Sequence, residues 1–265
     1  MSTVGKAVSL LELFTLAEPE IGLSELARNA GLDKATTRRL LVALINGRLV
    51  EQEPRSRRYR LGAGLSRLAR IRDAHFPFVR VAAPVARALA LETGETVHVS
   101  EFSAGALLTV DVALSAKANR VNVDVGQVLP LHGTASGIAF LSACDGAAAD
   151  AYLGGPLDKF TPHTVASREG VMEAVRAAAA HGYSRSAQGY EEGVHSVAAP
   201  IFGADGRAIG TLAVASPVSR IDDAVAVRQG EAAVRAAREI SAGLGGEVAR
   251  LGTGSERANF ILSGN

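Results

Sequence analysis

Apolar side chains recur at helical spacing from the start of the chain. Ala7, Leu10, Leu11 and Phe14 stand at i, i+3, i+4 and i+7, which predicts a helix over residues 4–17. Pro19 and Gly22 break the pattern. A short helical stretch, SELARNA, follows, with Ser24 placed to cap it. Ala30-Gly31-Leu32 reads as a sharp turn, since glycine admits the positive φ such a turn requires. Asp33 is then placed to cap a longer helix, KATTRRLLVALINGR. Its Leu40, Leu41 and Leu44 form a buried side, and Lys34, Thr36, Thr37 and Arg38 form a polar, basic one. Beyond it the period falls to two: Leu49-Val50-Glu51 and Tyr59-Arg60-Leu61 predict strands around the turn EPRSRR. Val50, Tyr59 and Leu61 would face the helices, with Arg58 and Arg60 outward.

A linker helix begins near Gly64, and Leu65, Leu68 and Ile71, spaced by three, suit a seam between two copies better than a free tether. A further helix carries Pro84, Val85, Leu89 and Leu91 and runs to Gly94. Strands are expected at 96–102, 107–113 and 120–125, and the alternation in VHVSEF and VNVDV implies one wetter sheet face. HGTASG opens the helix IAFLSA, and alanine-rich helices follow at 169–181 and 224–244. Two strands, His195-Ser196-Val197-Ala198-Ala199 and Gly210-Thr211-Leu212-Ala213-Val214-Ala215, are joined by a GADG hairpin turn.

The elements of the first seventy residues assemble into a recognisable device. A short helix, a glycine turn and a longer helix with a basic N-terminal half make a helix-turn-helix, whose second helix enters the major groove. Arginine can bond guanine through two hydrogen bonds, and threonine offers a hydroxyl and a methyl. The basic hairpin is then a wing, with Arg55, Arg57 and Arg58 at its tip for phosphate or minor-groove contact. Read alone, the longer helix is also compatible with a solvated face in a small bundle.

Charge supports the first reading. The net +1 conceals a balance of +6 in residues 1–72, from 13 basic and 7 acidic side chains, against −5 in the remainder, from 15 and 20. A basic head on an acidic body suits a polyanion-binding module attached to something else. A length of 265 residues predicts two domains, and 48% hydrophobic against 21% charged residues excludes wholesale disorder. The single cysteine, Cys144, excludes a disulfide framework and a CxxC pair. The start is not that of a signal peptide and no apolar run is long enough for a membrane span, so a soluble cytoplasmic protein is expected.

At LSELARNAGLDKATTRRLLVALINGRLVEQ, the RYRLG that ends the wing, GQVLPLHGTASGIAFLSA, and HGYSRSAQGYEEGVHSVAAPIFGADGRAIGTLAVASP, the chain resembles the IclR family of bacterial transcription regulators. The resemblance covers roughly residues 4–245. It implies an α+β protein with an N-terminal winged helix-turn-helix over 1–62, a linker helix over 63–76 and a GAF-like α/β effector-binding domain with an antiparallel sheet over 77–247. Residues 248–265 would be a loosely ordered tail. It further implies homodimers or dimers of dimers on palindromic double-stranded promoter DNA, controlled by a small organic effector, with no cofactor and no membrane. By this resemblance Lys34, Thr36, Thr37, Arg38 and Arg39 fall on the DNA-reading helix, and Ala35 stands where many members have serine. The chain departs from the pattern at Ile138, where lysine is usual, at Ala187-Gln188-Gly189, where acidic residues are usual, and at Gly203.

The expected effector site starts from the small residues at the IAFLSA helix, whose first N–H groups and dipole favour an anion. A carboxylate could dock at 133–137, that is Gly133, Thr134, Ala135 and Ser136 up to Gly137, unless Thr134 or Ser136 merely caps those groups. Ala213 and Ala215 stand where members that hold small acids tend to carry hydroxyls, leaving Ser186 and Ser196 as the polar candidates. This implies a roomier, more apolar pocket, suited to an aromatic or branched acid or amide.

Catalysis and metal binding find little support. Gly62-Ala63-Gly64 mimics a dinucleotide fingerprint but lacks the third glycine, Arg67 standing there, and a parallel βαβ unit. Ser136 lies one place late for a nucleophile elbow, and His132 has no evident acidic partner. The six histidines show no tight metal spacing, and Glu191 and His195 are separated by loop and strand. The rival from another class is a sensor whose basic head contacts protein instead of DNA.

Overall fold

The computed structural model describes residues 1–15 and 17–246, which form two compact units, Met1–Phe76 and Pro77 onward. The tail expected at 248–265 lies outside the described residues.

In the first unit, α1 (Thr3–Leu11) begins at Ser2, whose hydroxyl accepts from the Gly5 amide. It ends before Phe14, which nevertheless packs on the core from the following turn. β1 (Glu20–Ile21), α2 (Leu23–Asn29), α3 (Lys34–Asn46), β2 (Val50–Gln52), β3 (Tyr59–Leu61) and α4 (Ala63–His75) follow. Several details differ from expectation. Gly22 caps α2 without a side chain, and Ser24 lies inside the helix and exposed. β1, hidden in the Pro19–Gly22 break, pairs with β3 through Ile21 opposite Tyr59, so the wing is a three-stranded sheet in the order β1-β3-β2. Leu10, Ile21, Leu26, Leu40, Leu41, Leu44, Val50 and Tyr59 form the core, whereas Leu61 is turned out and exposed. Gly62 and Gly64 explain the GAG joint: a Cβ on either would meet the Arg48 carbonyl oxygen at 2.4 or 2.5 Å, so the chain can cross there only as glycine. On α4, Leu68 and Ile71 are exposed.

The second unit runs α5 (Phe78–Thr93), β4 (Thr96–Ser103), β5 (Ala106–Ala113), β6 (Val128–Leu129), α6 (Ala135–Ala143), α7 (Gly146–Leu153), α8 (Arg168–His181), β7 (Ser184–Ala187), β8 (Val194–Phe202), β9 (Ala208–Pro217) and α9 (Asp223–Gly243). Gly94, at φ +67°, ends α5 as expected, but Leu91 points to solvent. The six strands make one antiparallel sheet in the order β6-β5-β4-β9-β8-β7. One face, carrying Val97, Val99, Leu212, Val214, Val197 and Ile201, packs on α5 and α9. The other meets α6, through Ala135 and Ala139 against Ala198 and Ala213, while Leu107 joins the core that α6 shares with α7 and α8. Helices on both faces cover the sheet, so the alternation in VHVSEF marks two buried faces, and Thr96, His98 and Ser100 lie inside.

Residues 120–125 form no strand. Their backbone is committed elsewhere: Val121 accepts from the Thr96 hydroxyl at 2.7 Å, and Gly126, at φ +93°, donates to the Thr109 carbonyl. The alternation there yields a buried Val121 and an exposed Val125 in an irregular segment.

Candidate functional site

The first site is the surface of α3. The Asp33 carboxylate accepts from the Thr36 amide at 2.8 Å, and this hydrogen bond holds its pKa below the ordinary carboxylate range. Lys34, Ala35, Arg38 and Arg39 are exposed and, with Leu23 and Val42, border an open groove. Thr36 is half-buried. Thr37 is a correction: it is fully buried and its hydroxyl donates to the Asp33 carbonyl at 2.9 Å, so it secures the helix start and has no free surface to offer. In the wing, Glu53 folds the tip by accepting from the Ser56 amide, and Arg57 sits at φ +60°. Arg55 and Arg57 are exposed and form no ion pair among the described residues. Arg58 instead reaches back, donating to the Glu20 carbonyl at 2.6 and 3.1 Å and pairing with Glu25 at 3.4 Å. It braces the β2–β3 hairpin against β1 and α2 while remaining partly exposed.

The second site is a cavity of about 60 Å³ between α6 and the polar sheet face. Thr134, Ala135, Ser136, Ser186, Ser196 and Ala215 all line it. Gly133 and Ala213 do not. Gly133 lies under the Phe160 ring, and Ala213 fills the apolar contact with α6. The space that alanine was expected to free at 213 is therefore occupied by the helix, and the pocket is small: the ~150 Å³ that accommodates benzene in an engineered protein is more than twice as large.

The helix start is held firmly. Thr134 accepts from the Gly137 amide at 2.9 Å and donates to the Pro130 carbonyl at 2.9 Å, and Ser184 donates to the Ala135 carbonyl at 2.6 Å. A Cβ on Gly137 would stand 2.2 Å from the Leu131 carbonyl oxygen, so the backbone can approach this closely only with glycine. Thr134 thus caps the helix, while the amides of Ala135 and Ser136 belong to its first turn, which has no intrahelical acceptors.

His98 on β4 was not anticipated. It stands opposite Ala213 on β9 and Val112 on β5, lines the cavity, and places Nε2 3.3 Å from the Ser136 hydroxyl. Its Nδ1 is buried with no hydrogen-bond partner, and burial pushes its pKa down to about 4. The remaining lining comes from the irregular segment Val121, Asn122, Val123 and Gln127, and from Leu129, Gly189, Tyr190, Glu191 and Val194. Gln127 donates to the Tyr190 hydroxyl at 3.3 Å. The described residues that line the cavity include no lysine or arginine, and Glu191 carries their one formal charge.

Behind the segment lies a clasp. Glu95, only 2% exposed, accepts from Arg220 at 2.6 and 2.8 Å and from Lys117 at 2.9 Å. Burial works to raise its pKa, but the hydrogen bonds from Arg220 and Lys117 outweigh burial and hold it below the ordinary range. Arg220 also donates to the Asn119 carbonyl, tying the irregular wall to the clasp.

The Ser136–His98 pair lacks the carboxylate that orients a catalytic imidazole, because Nδ1 has no partner. His132, the other candidate, is engaged with the Tyr152 hydroxyl and the Asp158 carbonyl. Among the described residues no cluster of His, Cys, Asp or Glu could hold a metal, and no helix is long and apolar enough to cross a membrane. Burial, with the nearby Asp145, pushes the Cys144 thiol up to about 11, away from thiolate chemistry.

Residues 74–242 match the C-terminal domain of the bacterial transcriptional regulator IclR, and residues 3–54 match the IclR helix-turn-helix domain. The chain is 32% identical over 254 residues to the glycerol operon regulatory protein of Streptomyces coelicolor, covering 92% of this chain and 97% of that one. In structure it is similar to an IclR-type transcriptional regulator from Silicibacter sp. TM1040, at 37% identity and a TM-score of 0.79, with 94% and 99% of the two chains covered. An IclR homologue from Microbacterium hydrocarbonoxydans, solved in complex with 4-hydroxybenzoate, shares the fold at a TM-score of 0.79 and 22% identity, over 92% and 99% of the chains.

Proposed function

The chain belongs to the IclR family of bacterial transcriptional regulators, and from that premise we propose how its two sites divide the work. Lys34, Thr36, Arg38 and Arg39 read the major groove of a palindromic promoter site, and Arg55 and Arg57 hold the wing on the phosphates. Arg58 serves mainly as the brace of the wing. Two copies joined along the exposed Leu68 and Ile71 of α4, singly or as a dimer of dimers, would present paired winged helices to paired half-sites in the bacterial cytoplasm.

The effector is a small organic acid or amide, held by Thr134, Ala135, Ser136, Ser186 and Ser196 at the start of α6. The observation that carries this is the cavity itself: a helix N-terminus, the hydroxyls of Thr134, Ser136, Ser186 and Ser196, and a neutral imidazole meet in one place. Because an aromatic acid of the size of 4-hydroxybenzoate exceeds the cavity, its entry requires the irregular wall at 121–123 or the loop at 189–191 to move outward. An effector that needs such a movement binds one conformation better than the other, which is the differential affinity a regulatory ligand must have. No turnover is part of this reading.

Melting the full chain against aromatic and aliphatic acids and their amides tests it. An effector at 100 times its dissociation constant should add about 2.7 kcal/mol to the unit that binds it. A shift that disappears in Ser136→Val supports the site. A shift that survives Ser136→Val places the effector elsewhere.

A further inference from the structure

The cavity poses an electrostatic problem if the effector is an acid. A carboxylate brought into a buried place needs a counter-charge or several hydrogen bonds, yet the described residues lining this cavity supply no fixed cation and include Glu191. His98 is the one basic side chain among them, more than nine-tenths buried. Its Nε2 is hydrogen-bonded with Ser136 in the first turn of α6, and its Nδ1 has no partner. A neutral imidazole carries one N–H, so one of the two nitrogens is an acceptor; a charged one carries two donors. The ring in this cavity therefore has hydrogen-bonding capacity that the protein does not use.

We propose that His98 is the counter-charge that the effector itself summons: an organic carboxylate docked beside Ser136 draws one proton from solvent onto the His98 imidazole, so that binding and proton uptake are a single event. The balance is simple. The neutral imidazole, a solvent proton and the free carboxylate give a bound imidazolium–carboxylate pair, with no bond of the effector broken. In that pair Nε2–H donates to the Ser136 oxygen, which leaves the Ser136 O–H to donate to the carboxylate.

The surroundings of the ring fit this role. Its cross-strand neighbours, Val112 and Ala213, are uncharged, as is Ser136 on α6. The carboxylates of its own and the neighbouring elements are Glu101 on β4, Asp111 on β5, Asp124 in the irregular segment, and Glu191 and Glu192 after β7, and the hydrogen bond that His98 makes is to Ser136. Burial alone keeps the ring neutral, which is the condition an arriving anion reverses. An amide, bringing no charge, would bind without the proton. The device thus distinguishes two effectors of the same shape by pH.

This inference rests on the acid-effector reading, and one experiment separates their failures. Titration calorimetry on the full chain at pH 7 uses benzoate, 4-hydroxybenzoate, pyruvate and glyoxylate, each beside its amide, in two buffers of different ionisation enthalpy. The expected result is an acid whose binding takes up close to one proton and weakens about tenfold per pH unit while its amide does neither. In His98→Gln the acid should lose both the uptake and the pH dependence, with the amide still bound as evidence of an intact cavity. Acid binding without proton uptake overturns the role of His98 and leaves the effector site standing. Uptake that persists in His98→Gln assigns the proton elsewhere and also overturns it. If none of the acids binds, the acid-effector reading falls and this inference with it.

Discussion

Two helices of this protein begin with the same device and put it to opposite uses. α3 and α6 each start with a side chain that accepts from an amide of the first turn, Asp33 on Thr36 and Thr134 on Gly137. Asp33 is a carboxylate on an exposed helix, so its negative charge offsets the positive end of the dipole, and the basic side chains are left to do the binding. Thr134 is neutral and buried, so the helix end it caps keeps its attraction for anions. On the proposed reading, the first unit meets a polyanion with mobile charges at its surface, and the second meets a small ligand with the fixed dipoles of a helix start.

The comparison can be broken most severely at Gly137. Gly137→Ala drives a methyl into the Leu131 carbonyl, which is backbone and cannot turn away. We expect a loss on the order of 4 kcal/mol in the stability of the second unit, read by urea unfolding, with promoter binding by the first unit retained at low temperature.

Acid separates the two units next. His98 has an ordinary pKa of 6.5 and a folded value of about 4, so the unfolded chain binds more protons between those limits. Its contribution is fully present above pH 6.5 and declines as pH falls toward 4, amounting to about 3 kcal/mol in all. His195, lowered mainly by burial and then by Arg185, works in the same direction. Melting curves from pH 7 to pH 4 should show the second unit losing stability, and His98→Gln should flatten that slope. An unchanged slope would mean that His98 is not the sensitive group.

On the DNA side, Arg38→Ala should cost about 1–3 kcal/mol on the promoter site and relax the preference at one base pair. Arg57→Ala should weaken binding to all sequences alike and lower the salt slope by about one. Anisotropy titrations at several salt concentrations distinguish the two. The sharpest test of the comparison is Thr134→Asp. It gives α6 the cap of α3 but buries a carboxylate and loses the hydrogen bond that Thr134 donates to Pro130, so the second unit should lose about 1–3 kcal/mol, and calorimetry should show acids excluded and amides still bound.

The same contrast explains what could be read from residue order. α3 was legible because everything it needs is local: Asp33 before it, a leucine stripe within it, basic residues on its open face. Thr37 was misplaced because composition cannot tell a hydroxyl facing DNA from one bonded to the carbonyl four residues back. β1 escaped notice because a two-residue strand has no period, and Ile21 is ordered by Tyr59 far along the chain. The start of α6 was legible from its small residues, and six of the eight expected residues meet at the cavity. His98 was not, since its meaning depends on a hydrogen bond to Ser136, 38 residues away. The alternation in VHVSEF suggests a wet face because polar positions usually seek water; here His98 turns toward a cavity beside α6 and Ser100 is buried against Thr109. VNVDV shows the converse, a strand-like pattern whose backbone is diverted by Thr96 and Thr109.

The central claim is that the basic surface of the first unit and the cavity of the second belong to one regulatory device, and a DNA titration tests it most directly. Anisotropy would follow binding of the full chain to DNA from upstream of its own gene and to a scrambled duplex of equal length, with and without an acid that raises its melting temperature. The account predicts a preference for the upstream DNA of about a thousandfold or more, shifted by the acid in the wild type and unshifted in Thr134→Asp. Equal affinity for both duplexes, or an acid that stabilises the protein and leaves its DNA affinity unchanged, would contradict it.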